Sequence, residues 1–417
     1  MKKIIKTLII SILMFFTLFP INFVFLPSFI STRHIIAFFG FILWSLSIIS
    51  YRRKIYNKQF FIVFCISILI SFWSLLCTLI FNVGNDYTFV KLPITIALMF
   101  FSAYTCISLM KYFDNQVSFT GVTKYFIYVI LMQSFFVLIQ FFNNDIANFL
   151  FDIQRLTERQ VKISNYHLKE GSRFIGFGLL FYTASFFYGT ALILITFYLN
   201  NLNLSSSKKF KLIILYLFIF LIGMGLSRST IIGAISSFFV FIFPLKNSSI
   251  NLKRLMVMSI YILLFSIFLV FLLSFNSGLL NKFQALTNNA FDFLISYFDE
   301  GKLRSESAEG TFDMLVLPQK SITYFYGTGY YELYESLGDY NYSDIGYLRL
   351  LYYFGIPGMI LFFWLEVKLL RVAFDIKPYK PIFYSMLFIL FVTNIKGLTT
   401  LAMISIIYAL IKTRKWN

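Results

Sequence analysis

Charge is what this sequence has least of. Only 13% of its 417 residues are Asp, Glu, Lys or Arg, against roughly 25% in a soluble domain, so a water-soluble globular chain is excluded at the outset. Cysteine is almost missing as well. Cys65, Cys77 and Cys106 fall in apolar stretches without C-x-x-C spacing, which rules out a zinc cluster or a disulfide framework and leaves them as packing residues. The two histidines, His34 and His167, are too isolated in the sequence to form a metal site. There is no GxxxxGK[ST] phosphate loop and no Asp-x-Asp pair to hold a metal against a sugar nucleotide, which argues against nucleotide-dependent chemistry. No Pro-rich linker, fixed-period repeat or shift in composition divides the chain, so residues 1–417 read as a single membrane domain.

What is abundant is hydrocarbon. Hydrophobic residues make up 59% of the chain, phenylalanine alone accounts for 56 positions, and mean hydropathy is +0.78. Apolar stretches near the ~20 residues needed to cross a bilayer recur throughout. They centre on 4–26, 35–50, 60–81, 92–110, 125–142, 176–199, 212–226, 230–245, 255–275, 346–365, 382–394 and 398–411. The spacing predicts an all-α polytopic membrane protein of about twelve transmembrane helices. The first stretch has the basic start and apolar run of a signal peptide, but no small-residue cleavage site before Pro20, so it reads as a retained helix.

The net charge of +18 is explained by topology. With the N-terminus inside, most of the 36 basic residues fall on the cytoplasmic side, including Lys2, Arg52, Lys208, Lys253, Arg371 and Arg414. Only Asp114, Glu366 and Asp375 join them there, in keeping with the positive-inside rule. The excess charge is then not a nucleic-acid surface, and both termini lie in the cytoplasm. Two extracytoplasmic segments are too long to be simple turns: a first loop at 143–174 and a large loop at 276–345. Short helices are expected to build the larger one, with 285–298 reading either as a helix apolar enough to lie along the membrane interface or as a loop helix covering the bundle.

The informative polar residues belong to these loops and to one hairpin. Arg228, in Ser227–Arg228–Ser229 between two short apolar stretches, would be costly facing lipid, and reads either as functional or as snorkelling to water. Arg155, Arg159 and Arg173 crowd the first loop with Lys162 and Lys169. Such a cluster suits an anionic ligand, because guanidinium bonds phosphate in bidentate fashion and stays charged at any working pH. It is also readable as a solvated loop balanced by Asp152, Glu158 and Glu170. In the large loop Arg304 precedes Glu306, Glu309 and Asp313, and Gly327–Thr328–Gly329 makes a turn before Tyr330 and Tyr331. Asp344 precedes the next helix, on the face shared by Tyr347, Leu348 and Leu351; it is either functional or a carboxylate favoured by the helix dipole.

Taken in order, these features resemble the Wzy-type polysaccharide polymerases of the O-antigen polymerase and ligase superfamily. The resemblance spans most of the chain. It rests on the many helices, the Ser227–Arg228–Ser229 hairpin, the late large loop, Gly327–Thr328–Gly329, and Ser343–Asp344–Ile345–Gly346–Tyr347–Leu348 running into Phe354–Gly355–Ile356–Pro357–Gly358. It implies a GT-C-like membrane fold and a glycosyltransferase that needs no metal or other cofactor. Its substrate would be undecaprenyl-diphosphate-linked oligosaccharide at the outer face of the bacterial plasma membrane, for O-antigen or capsule. On that implication Arg173, Arg228 and Arg304 hold the diphosphate, and Asp344, Glu306 or Glu309 orients or deprotonates the acceptor. Tyr330, Tyr331, Tyr340 and Tyr347 would offer faces to sugars, and a chain-length regulator is an expected partner. The sister ligases carry His followed by Asn where this chain has Ser343 and Asp344, which favours polymerase over ligase. A lipid-oligosaccharide flippase is the alternative from another class.

Overall fold

Residues 2–51, 58–81, 86–114, 117–178, 181–201, 204–242, 315–329, 345–375 and 379–413 are described by a computed structural model, with 284–286, 296 and 310 between them. All extended regular structure among these residues is helical. The helices are α1 (Lys2–Leu18), α2 (Thr32–Tyr51), α3 (Lys58–Phe81), α4 (Leu92–Asp114), α5 (Phe119–Phe142), α6 (Asn144–Asp152), α7 (Glu158–Glu170), α8 (Phe181–Asn201), α9 (Ser206–Leu226), α10 (Thr230–Ile242), α11 (Ser321–Tyr326), α12 (Gly346–Phe374), α13 (Lys380–Thr393) and α14 (Ala402–Thr413). Seven are long and apolar enough to cross a membrane: α2, α3, α4, α5, α8, α9 and α12. Large apolar side chains such as Phe38, Phe61, Leu69 and Phe72 face outwards, a surface that suits a bilayer and not water. The chain is a multi-pass helical membrane protein.

Two compact units emerge, each assembled from separated stretches of sequence. The first holds α1, most of α5, α6 to α10 and the start of α13. Its centre is α8, of whose spanning window 78% is buried. Gly189 of α8 and Gly233 of α10 meet so closely that a Cβ on Gly233 would sit 2.2 Å from the Gly189 Cα, the small-residue crossing expected where helices must pack without a hydrophobic driving force. Phenylalanine fills the rest, Phe15 touching Phe136 at 5.6 Å and Phe19 meeting Phe187 at 4.9 Å between ring centroids.

The second unit holds α2, α3, α4, α11, α12, α14 and the end of α13. Its central feature is a break in α12. Gly355 has φ +68° and ψ −172°, a conformation that L side chains rarely adopt. The chain folds back there: the rings of Tyr347 and Phe363 lie 5.2 Å apart, whereas sixteen residues of straight helix would separate them by about 24 Å. The carbonyls released by the break are met from elsewhere. Thr328 and Gly329 donate backbone N–H groups to Tyr352 and Tyr353, the Thr328 hydroxyl donates to Tyr352 at 2.9 Å, and the Trp73 indole donates to Phe354 at 2.8 Å. Gly327–Thr328–Gly329 and Phe354–Gly355–Ile356–Pro357–Gly358 are therefore two sides of one joint. Pro357 starts the second arm, where a missing N–H costs nothing, and that arm of about 28 Å is itself close to a bilayer's hydrocarbon thickness.

Several sequence expectations are corrected. The first span does not reach residue 26: α1 stops at Leu18, because Pro20 supplies no N–H and bars helix at the residue before it. The stretch expected at 176–199 is not helical through Gly178, α14 begins at Ala402 rather than 398, and 346–365 is interrupted at Gly355 and runs on to Phe374. Glu366, expected in an inner loop, lies within α12 and is 1% exposed. The first connection, expected as an elaborated loop, contains α6 and α7. The stretch 255–275 lies outside the described residues, as does 285–298 apart from helical residues 285, 286 and 296.

Candidate functional site

The first long connection is ordered by its own caps. Asn143 accepts from the backbone N–H groups of Asp145 and Ile146 and starts α6. Thr157 and Gln160 form a reciprocal capping box that starts α7, and left-handed Gly171 ends it, as such sequences do. Past that stop, Ser172 donates its N–H to the His167 carbonyl at 3.2 Å, and its hydroxyl pairs with the His167 Nδ1 at 2.8 Å. Arg173 comes next. Phe174 then donates its N–H to the Gly225 carbonyl at 2.9 Å, and its ring packs edge-on against Phe141 at 4.8 Å.

Gly225 belongs to the last turn of α9. A Cβ there would come within 2.4 Å of the Phe174 ring, so the loop seats itself on a position that only glycine leaves open. Beyond it the Ser227–Arg228–Ser229 turn is held by the Thr230 N–H on the Ser227 carbonyl at 3.0 Å and by the Thr230 hydroxyl on the Gly223 carbonyl at 2.8 Å. The hairpin expected around Arg228 is present, and Arg228 lies near enough for its charge to act on Arg173. Burial first, and then the Arg228 charge, lower the Arg173 guanidinium from its ordinary value. Burial first, and then Arg173, push His167 down to about 4, so its imidazole is neutral at ordinary pH. Two like charges within electrostatic reach of each other, with Arg173 partly buried, favour an anion beside them.

Arg155, another cation of the first loop, is engaged elsewhere: it spans to a different segment, donating through one terminal nitrogen to the Val24 carbonyl at 3.0 Å and the Leu26 carbonyl at 2.9 Å. Lys162 and Lys169 are exposed, and the Arg159 side chain lies outside the described residues. So do Arg304, Glu306, Glu309, Tyr330, Tyr331, Tyr340 and Asp344. Tyr347, in the second unit, donates its hydroxyl to the Phe391 carbonyl at 2.9 Å and its ring to the Phe363 contact at the α12 fold.

Two residues gain significance only from the structure. His167 adjoins the arginine pair because Gly171 stops the helix and Ser172 reaches back; the Gly171–Ser172 step is the signal that could have found it. Glu366 accepts from the Thr400 hydroxyl and, at 2.9 Å, from the Leu401 N–H at the entrance to α14. Nearby Asn394 donates to the Thr399 hydroxyl at 3.0 Å and accepts the Thr399 N–H at 3.2 Å, so the α13–α14 connection is tied by side chains throughout. No protein-family model, curated protein or solved structure matches the chain.

Proposed function

We propose that this chain is a polysaccharide polymerase, a glycosyltransferase that lengthens undecaprenyl-diphosphate-linked oligosaccharide at the outer face of the bacterial plasma membrane. On this reading it has about twelve spans, a GT-C-like arrangement and both termini in the cytoplasm. The observation that supports the reading is the bond from Phe174 to Gly225, which ties the segment carrying Arg173 to the Arg228 hairpin and leaves the two charges within electrostatic reach. An acceptor hydroxyl attacks the anomeric carbon of the growing chain, the bond from that carbon to phosphate oxygen breaks, and lipid diphosphate leaves with the electron pair. Paired guanidiniums stabilise the charge that develops on it, an effect of the oxyanion-hole kind. Arg304 is the third proposed cation, and Asp344, Glu306 or Glu309 takes the hydroxyl proton. Tyr330, Tyr331, Tyr340 and Tyr347 face the sugars, and a chain-length regulator is the proposed partner.

One observation favours a second reading. A broken helix and a buried carboxylate within a membrane helix, as at Gly355 and Glu366, recur in transporters, so a lipid-oligosaccharide flippase is the alternative. Glu366 fits it less well, because its two oxygens already accept from Thr400 and Leu401 and so act as a staple. The deciding experiment is the size ladder of lipid-linked and surface polysaccharide in a strain lacking the protein. Single repeat units without a ladder support polymerisation. Full-length polymer left on its carrier means ligation, and repeat units trapped on the cytoplasmic face mean a flippase.

A further inference from the structure

We propose that the first unit carries a preformed sugar subsite beside the arginine pair, in a cavity of about 280 Å³ lined by Asn22, Phe151, Gln154, Arg155, Gln160 and Ser164. This rests on the diphosphate reading of Arg173 and Arg228 and names the part of the substrate that lies next to it. The walls come from the α1–α2 connection, from α6 and α7, and from the segment that follows Arg173. They are tied together by two main-chain bonds, Arg155 N–H to the Asn22 carbonyl at 2.7 Å and Val24 N–H to the Ile153 carbonyl at 3.1 Å, and by the Gly178 N–H to the Gln154 side-chain Oε1 at 3.0 Å. Such a site exists before its ligand arrives, which lowers the ordering cost of binding.

Its chemistry selects among ligands. Apolar Pro20, Ile21, Leu156 and Ile175 make up much of the wall, and Asn22 and Ser164 add an amide and a hydroxyl able to hydrogen-bond neutral hydroxyl and acetamido groups, whereas Gln154 and Gln160 are already bonded within the fold. The single cation in the wall, Arg155, directs a terminal nitrogen at the Val24 and Leu26 carbonyls, so the cavity is not built for phosphate. Pockets that take drug-sized ligands run from about 300 to 1,000 Å³. A space just below that range is of the size of one sugar ring and too small to hold a whole oligosaccharide. Its position agrees: Ile175 and Gly176 of the wall follow Arg173 within three residues, a reach of about 10 Å at most. A ring in the cavity is then a near neighbour of the diphosphate.

The test uses purified full-length protein in detergent and three probes: undecaprenyl diphosphate, the undecaprenyl-diphosphate-linked repeat unit, and the repeat-unit oligosaccharide freed of its lipid. Ser164→Phe fills the cavity from a buried wall position, and Asn22→Ala removes one polar group from an exposed one. Wild type is expected to bind the sugar-bearing lipid at least about tenfold more tightly than bare undecaprenyl diphosphate. Ser164→Phe is expected to abolish that advantage and leave the bare lipid's affinity unchanged, with Asn22→Ala reducing the advantage several-fold. The freed oligosaccharide is expected to bind wild type and not Ser164→Phe, a result that supports the subsite even if bare diphosphate fails to bind and the arginine reading falls. Folded variants that keep the full advantage and still bind the freed oligosaccharide would overturn the subsite. Should Ser164→Phe not fold, an undiminished advantage in Asn22→Ala would do the same.

Discussion

Phe174 donates its backbone N–H to the carbonyl of Gly225, and this one bond joins the first long connection to the α9–α10 hairpin and sets Arg173 beside Arg228. The seating depends on the absence of a side chain at 225. Gly225→Ala would drive a methyl into the Phe174 ring, an overpacking that costs about 1 to 3 kcal/mol. The expected outcome is a folded but less stable protein with weakened affinity for undecaprenyl diphosphate. Thermal unfolding and lipid titration on the same preparation check both halves.

The α12 joint makes a separate prediction. Gly355→Ala places a Cβ 2.2 Å from the Phe325 carbonyl oxygen in a left-handed conformation, and strain of that kind costs of order 1 to 3 kcal/mol before the clash is counted. Trp73→Phe removes the indole donor from the Phe354 carbonyl and leaves it only the weak Cys77 thiol donor at 4.0 Å, a loss of about 1 kcal/mol. Pro357→Ala, at the first turn of an arm, should cost less than either. Thermal unfolding of the three variants checks this ranking.

Glu366 predicts a graded pair. Glu366→Gln keeps one carbonyl oxygen to accept from Leu401 or Thr400, whereas Glu366→Leu leaves both donors without an acceptor and should be the more destabilising by about 1 to 3 kcal/mol. Unfolding midpoints of the two variants decide the matter. Equal midpoints would mean that the carboxylate does not hold the entrance to α14.

The pH dependence has a definite sign. His167 falls from its ordinary 6.5 to about 4 in the fold, so between those values the unfolded chain binds more protons and stability declines as pH falls. Above 6.5 its contribution is constant. His167→Gln should flatten the stability profile between pH 6.5 and 4, and pyrophosphate, by offsetting the Arg173 charge, should raise the wild-type histidine's titration point. Both are readable from unfolding midpoints and from the imidazole NMR signals.

Much of this was legible in sequence, and the exceptions have physical causes. Long apolar runs such as Phe60 to Phe81 declare themselves, because a bilayer selects composition and length together. The Arg228 hairpin was legible too, since a lone guanidinium between two short apolar runs must sit at a turn. The helices α6 and α7 carried readable caps in Asn143, Thr157 with Gln160, and Gly171, but those signals are weak beside the polar composition around them. The fold-back of α12 was not legible. Gly355 and Pro357 permit a break without fixing its angle, which depends on Trp73 and Thr328, distant in sequence. That Arg173 lies within electrostatic reach of Arg228 was implied only by the resemblance and not by the residues themselves, because a main-chain bond ties their segments and main-chain bonds leave no compositional trace.

The central claim is tested most directly by reconstitution. Purified protein in liposomes is given its undecaprenyl-diphosphate-linked repeat unit in the presence of a metal chelator, and the products are resolved by size. The account predicts a ladder with wild type, and a rate lowered by about 10² or more in Arg173→Gln and in Arg228→Gln, the scale on which lost charge stabilisation registers. A folded wild type that makes no ladder, or arginine variants that make it at the wild-type rate, would contradict it.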